Sequence, residues 1–170
     1  MQSSLATDGY LSGDELSTVL PSQERMEKGP VAVIECIQDI PCNPCEAACP
    51  FHAISVGQPI TSLPQLAVDK CSGCGACIAQ CPGLAIFVVD ASLSGEMGTV
   101  QMPYEYCPVP QAGEFVIGLD RSGHAVADAK VLKTTVSPRA DKTVVVTIEA
   151  PKSTLNMIRG IRVKGGEEHG

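Results

Sequence analysis

The run Cys71-Ser-Gly-Cys74-Gly-Ala-Cys77-Ile-Ala-Gln-Cys81-Pro82 constrains the fold of this chain more than any other stretch. Its spacing, C-x2-C-x2-C-x3-C-P, is a ligand run for iron–sulfur clusters. Three thiolates set two residues apart wrap one face of a cubane only if the backbone between them turns tightly. Gly73 and Gly75 permit that turning, which points backbone N–H groups at the sulfides. Cys81 follows on the next turn and Pro82 leads the chain away. The competing reading is a structural zinc site, which ordinarily uses two separated C-x2-C pairs. Four cysteines in one compact run closed by proline favour iron–sulfur.

Nine cysteines in 170 residues would also suit a secreted disulfide scaffold. Against that, eight of the nine fall between Cys36 and Cys81, which is ligand clustering. Residues 1–30 show no apolar h-region behind a basic start and no twin arginine. No apolar run approaches the ~18 residues of a membrane span. A reducing cytoplasmic setting is the expectation. Of the net charge of −7, residues 31–90 carry five acids against the single base Lys70. That balance disfavours a nucleic-acid backbone as partner and suits docking onto a basic protein surface.

Taken in order, residues 1–30 form a polar N-terminal arm in which Ser12-Gly-Asp-Glu15 can cap a short helix. Alone, such a segment is expected to be poorly ordered. Residues 31–36 read as a β-branched strand delivering Cys36 to a loop. The next run, Cys42-Asn-Pro-Cys45-Glu-Ala-Ala-Cys49-Pro50, repeats the later motif except that its first cysteine, Cys36, stands three residues early; Asp39 occupies the standard register. Residues 51–56 match 83–88 as apolar return strands, and residues 66–69 feed Cys71 as residues 31–35 feed Cys36. The chain therefore contains an internal repeat of strand, cysteine loop, short helical turn and strand.

Residues 91–98 read as a linker. Residues 99–165 are β-rich, divided by turn signals at residues 108–113, 120–123 and 137–141, and suggest a small β-barrel or β-sandwich domain; a disordered tail, 166–170, closes the chain. Cys107 stands alone and reads as a half-buried free thiol. Tyr104 and Tyr106 read as core or interface residues, and His52 as a surface or satisfied histidine. No Ser–His–Asp set, phosphate loop or carboxylate pair suggests a catalytic residue.

The duplication and both motifs together resemble the bacterial-type two-[4Fe–4S] ferredoxin family over residues 31–90. The resemblance implies an α+β, pseudo-twofold ferredoxin-like domain with two clusters side by side. Position by position, it implies one cluster held by Cys71, Cys74, Cys77 and Cys49, because the fourth cysteine of each run serves the other cluster. The other cluster would take Cys42, Cys45, Cys81 and, in the displaced first slot, Cys36. A thiolate suits soft iron–sulfide better than a carboxylate. If Asp39 filled the slot, or nothing did, a [3Fe–4S] cluster becomes possible.

Residues 27–36, Ile40-Pro-Cys-Asn-Pro-Cys45 and the β-region containing Tyr104 are also similar to a narrower group. These are the ferredoxin-like subunits accompanying flavin-dependent amino-acid dehydrogenases of proline, hydroxyproline or sarcosine type. That resemblance implies a non-catalytic electron-transfer subunit with a flavoprotein dehydrogenase partner. The alternatives are a free ferredoxin-type shuttle and a structural or sensing iron–sulfur protein.

Overall fold

The computed structural model describes residues 4–136 and 143–164; the first three residues of the arm, the turn expected at 137–141 and the tail at 166–170 lie outside them. Three short helices, α1 (Ser4–Asp8), α2 (Gly13–Val19) and α3 (Gln23–Glu27), lead into strand β1 (Val31–Ile34). Helix α4 (Pro44–Ala48), strands β2 (Ile54–Ser55) and β3 (Gln65–Leu66), helix α5 (Ala76–Gln80) and strand β4 (Ile86–Asp90) complete the cysteine region. Five strands follow: β5 (Met97–Tyr104), β6 (Phe115–Leu119), β7 (Ala125–Val136), β8 (Val144–Pro151) and β9 (Gly160–Val163). No helix among the described residues is long and apolar enough to cross a membrane.

Strands β1 and β4 are the hinge of the architecture. They pair antiparallel, Val31 opposite Val89 and Ile34 opposite Ile86, while β2 pairs with β3. Every residue of β1, and the first four of β4, are buried, so both faces of this ribbon are covered. Val31, Val33, Phe87 and Val89 face one core, shared with Val100, Met102, Val116, Val131, Val146 and Ile148. Ala32, Ile34, Ile86 and Val88 face a second core, which holds Cys45, Cys77, Ile54, Val56 and Ile78. Each fully buried Val or Ile side chain contributes about 1.5–3 kcal/mol, so the ribbon ties its two cores into one folding unit.

This pairing corrects the expected division at residues 91–98. Those residues are no linker between domains: β5 has begun by Met97, and Asp90 pairs with Thr99 across the loop that joins β4 to β5. The strands of residues 99–165 belong to a seven-stranded sheet of order β1-β4-β5-β8-β7-β6-β9, to which the cysteine region supplies two members. Strands β5 and β8 alternate buried and half-buried residues, as expected of a sheet with one face on a core.

The sheet is strongly curled. Laid flat, six steps between seven strands would separate β1 from β9 by about 29 Å. Instead Glu35, just after β1, accepts from Nε of Arg159, just before β9, at 2.6 Å. It also accepts from Arg121, in the β6–β7 turn, from Nε at 2.8 Å and from Nη2. Burial favours the neutral carboxyl, but the Arg121 hydrogen bond and the Arg159 charge outweigh it and hold Glu35 below its usual range. Burial lowers Arg159 in turn to about 10. The Arg159 guanidinium also stacks 4.9 Å from the Phe87 ring centre. A buried ion cluster thus latches the two sheet edges.

The N-terminal segment is likewise more ordered than its composition suggests. Ser12 and Glu15 form a reciprocal capping box on α2. Hydrogen bonds from Ser4 and Ser12 hold the Glu15 carboxyl down to about 2. Leu11 and Met26 are buried, and Met26 accepts from Ala91 N at 3.1 Å, which docks α3 against the turn after β4. Cys107 differs from expectation too: it is exposed. Tyr104 is buried, its hydroxyl bonded to the Pro108 carbonyl at 3.1 Å, while Tyr106 is 75% exposed.

Candidate metal centres

The eight clustered cysteines separate into two cavities. One is lined by Cys49, Cys71, Cys74 and Cys77 together with Ala32, Ala53, Ile54 and Val88. The other is lined by Cys36, Cys42, Cys45 and Cys81 together with Ile34, Ile40, Pro44 and Ile86. Each cavity takes three thiols from one run and the fourth from the other. Their free spaces are comparable, about 310 Å³ and about 390 Å³ with open solvent included. Asp39 is exposed and does not line the second cavity, whereas Cys36 does.

The crossing of thiols between cavities follows from short helices. Helices α4 and α5 pack on each other, and each ends after five residues on a cysteine. The two ends are near copies: Cys49 has φ −79° and ψ 107°, Cys81 has φ −80° and ψ 109°. Three residues on, His52 and Leu84 both adopt the left-handed region, at φ 49° and 52°. Each donates its N–H to the preceding cysteine carbonyl, at 3.2 and 3.1 Å. One residue further, Ala53 N donates to Cys49 Sγ at 3.2 Å and Ala85 N to Cys81 Sγ at 3.4 Å. His52 is exposed, and its distinction is this backbone conformation. The repeat seen in the sequence therefore extends, at these two turns, to individual dihedral angles.

The opening loops are held differently. Ala32 N donates to Cys71 Sγ at 3.4 Å. Arg25 donates to the Cys71 carbonyl at 2.7 Å, and Gln101 Nε2 to the Gly73 carbonyl at 3.4 Å. Gly73, at φ +67°, lies against Pro30 so closely that a Cβ would stand 2.4 Å from the proline Cβ. No motif in the sequence marks Arg25 or Gln101, because both act on this loop from elements distant along the chain.

These sites suit an iron–sulfur group better than a single ion. Among the described residues no three His, Cys, Asp or Glu side chains converge as ligands of one metal ion. A tetrahedral zinc site would need sulfurs about 3.8 Å apart, given Zn–S bonds of about 2.3 Å. Thiols ringed around an apolar cavity, with N–H donors aimed at three of the sulfurs, match a group of several atoms that carries charge on its sulfur ligands. Burial, reinforced by Cys71 and Cys74, pushes the Cys77 thiol up to about 12; burial and Cys81 push Cys45 up to about 11. Metal uptake by these buried thiols would therefore release protons and be favoured as pH rises.

Comparison with known proteins bears on part of this region. Residues 65–87 match the family model of the 4Fe-4S binding domain. The chain is 45% identical over 38 residues to a subunit of the Na(+)-translocating ferredoxin:NAD(+) oxidoreductase complex of Acetobacterium woodii, covering 22% of this chain and 11% of that protein. It is 45% identical over 47 residues to a subunit of the ion-translocating oxidoreductase complex of Methanosarcina acetivorans, covering 28% of this chain and 17% of that one. No solved structure matches the chain. The chain thus spans less than a fifth of the length of these relatives, and the 4Fe-4S family match covers the regular cysteine run from Cys71 to Cys81.

Proposed function

We propose that this chain binds two [4Fe–4S] clusters in a bacterial-ferredoxin-like arrangement and relays single electrons as a subunit of a larger oxidoreductase complex. Cys71, Cys74, Cys77 and Cys49 would hold one cluster and Cys36, Cys42, Cys45 and Cys81 the other. The observation that carries this reading is the sorting of eight thiols into two cavities, three from one run and one from the other in each. When bound, such clusters supply reversible one-electron exchange. The residues of the chain contribute the rest. Ala32, Ala53 and Ala85 N–H groups stabilise negative charge on Cys71, Cys49 and Cys81. Ile54 and Val88 keep water from the inner side of the first cavity, and Ile34 and Ile86 from that of the second. Cys74, the exposed ligand, marks the side from which an electron partner can approach most closely.

Membership of a complex is supported by the names of both relatives, each a subunit of an ion-translocating oxidoreductase complex. It is also supported by the N-terminal helices and the strands beyond β4, which exceed what two cavities need. The finer reading is a flavoprotein dehydrogenase partner acting on an amino acid. Its support is chemical: a flavin accepts an electron pair from substrate and passes electrons on singly, matching one-electron carriers. Anaerobic capture of the tagged full-length chain from its native host tests this. The expected result is a stoichiometric second polypeptide and the visible absorbance of a flavin. A stable monomer that carries clusters and exchanges electrons freely in solution would overturn the subunit reading and leave a free shuttle.

A further inference from the structure

We infer that Arg25, in the N-terminal helices, sets the reduction potential of the cluster held by Cys49, Cys71, Cys74 and Cys77, an inference that rests on the cluster assignment proposed above. Arg25 is half-buried, and its guanidinium spends its donors on four backbone carbonyls. Nε reaches Val68 at 2.9 Å and Nη1 reaches Gly29 at 3.0 Å. Nη2 reaches Pro30 at 3.3 Å and Cys71 itself at 2.7 Å. A planar fork with five N–H groups can bridge four carbonyls at once; an ammonium cannot do so with the same geometry.

The position is enforced from both ends of α3. Ser22 Oγ caps the helix by accepting from Arg25 N at 3.2 Å, and the next residue, Met26, is buried in the main core. Among the described residues Arg25 takes part in no ion pair; Glu24 pairs with Lys28, and Glu27 accepts from Gln23. A permanent cation is therefore clamped to the residue that supplies a cluster ligand, in a site where solvent screens it incompletely. The reduced cluster carries one more negative charge than the oxidised one, so a fixed cation stabilises the reduced form more and raises the potential. The Cys36 cavity is placed differently: among the described residues no arginine or lysine donates to the carbonyl of Cys36, Cys42, Cys45 or Cys81, and the arginines beside Cys36, Arg121 and Arg159, share the Glu35 carboxylate. The polar arm thereby becomes part of the redox unit.

The test uses the full-length, cluster-loaded chain in redox titrations followed by electron paramagnetic resonance, with the Cys71-side signal identified as the one altered by Cys74→Ser. Arg25→Gln should lower the midpoint of that signal by the equivalent of about tenfold in the reduction equilibrium, about 59 mV for one electron. Arg25→Lys should move it much less, and neither variant should move the Cys36-side signal. Arg25→His should make the midpoint rise as pH falls from about 8 to about 5, across the imidazole range, beyond any change in the unmodified chain. If Arg25→Gln fails to load, the pH response of Arg25→His decides. Loading that fails in both the Gln and the His variant makes Arg25 a requirement of assembly and overturns the inference about the potential. An unchanged midpoint in Arg25→Gln, parallel shifts of both signals, or failure of all three variants to load overturns the inference. Absence of any cluster signal from the unmodified chain would instead strike the assignment on which it rests.

Discussion

The cavity of Cys49, Cys71, Cys74 and Cys77 and the cavity of Cys36, Cys42, Cys45 and Cys81 share their closing turns but not their opening loops. At the closing end the dihedral angles and N–H···S bonds repeat almost atom for atom. At the opening end, the Cys71 loop is pinned by Arg25, Pro30, Ala32 and Gln101, which come from the N-terminal helices, β1 and β5. The loop from Cys36 to Cys42 has the backbone bonds Ile40 N to Gln38 O at 2.9 Å and Cys42 N to Ile60 O at 3.4 Å, and Gln38, Asp39 and Ile40 are exposed. The comparison teaches that a duplicated sequence element supplies the thiols of both cavities, while the rest of the chain makes the copies unequal. The regular spacing belongs to the copy that the surrounding fold grips.

The largest effect that could break this comparison comes from removing a buried ligand. Cys77→Ala should cost about four of about eight irons per chain and leave the Cys36-side signal. In the intact protein the gripped cavity should outlast the other: a chelator time course should erase the Cys36-side signal first. Loss of the Cys71-side signal first would mean that the tethers do not protect it.

A latch variant comes next. Glu35→Gln leaves two buried arginines facing a neutral amide and should destabilise the fold by about 3–5 kcal/mol in denaturant titrations. Because the folded-state carboxyl titrates below its ordinary value of 4.5, its contribution is present above that pH and is lost as pH falls through the depressed value. The unmodified protein should therefore lose the advantage over Glu35→Gln on acidification, and an advantage independent of pH would contradict the ionic latch.

Smaller effects sharpen the contrast between loops. Gly73→Ala forces a side chain onto Pro30 at positive φ and should cost roughly 1–3 kcal/mol. Gly83→Ala, where a Cβ would meet nothing within 4 Å, should cost under about 0.5 kcal/mol. Smallest of all, Asp39→Ala should change neither stability nor either cluster signal, since its side chain is exposed and off the cavity wall. A lost signal in Asp39→Ala would give the irregular slot to the carboxylate.

Much of this was legible in residue spacing. The cysteine runs, their repetition and the strands from β5 to β9 follow from local pattern, as does the Ser12 cap on α2. The union of the two regions was harder to see. Val31-Ala-Val-Ile34 and Ile86-Phe-Val-Val89 are unbroken apolar runs, the signature of strands covered on both faces. Read that way, they would have shown that β1 and β4 need a second core. The latch left no such trace: Glu35 lies 86 residues from Arg121 and 124 from Arg159, and no local pattern pairs them. Arg25 was hidden for a related reason. Its partners are backbone carbonyls, which every residue has, so its role comes from where α3 docks.

The central claim, two four-thiol sites each loaded with a [4Fe–4S] cluster, is tested most directly by counting. The full-length chain, purified anaerobically, should contain about eight irons and about eight acid-labile sulfides, with two resonance signals on reduction. About four irons with a single signal, or zinc in place of iron, would contradict it.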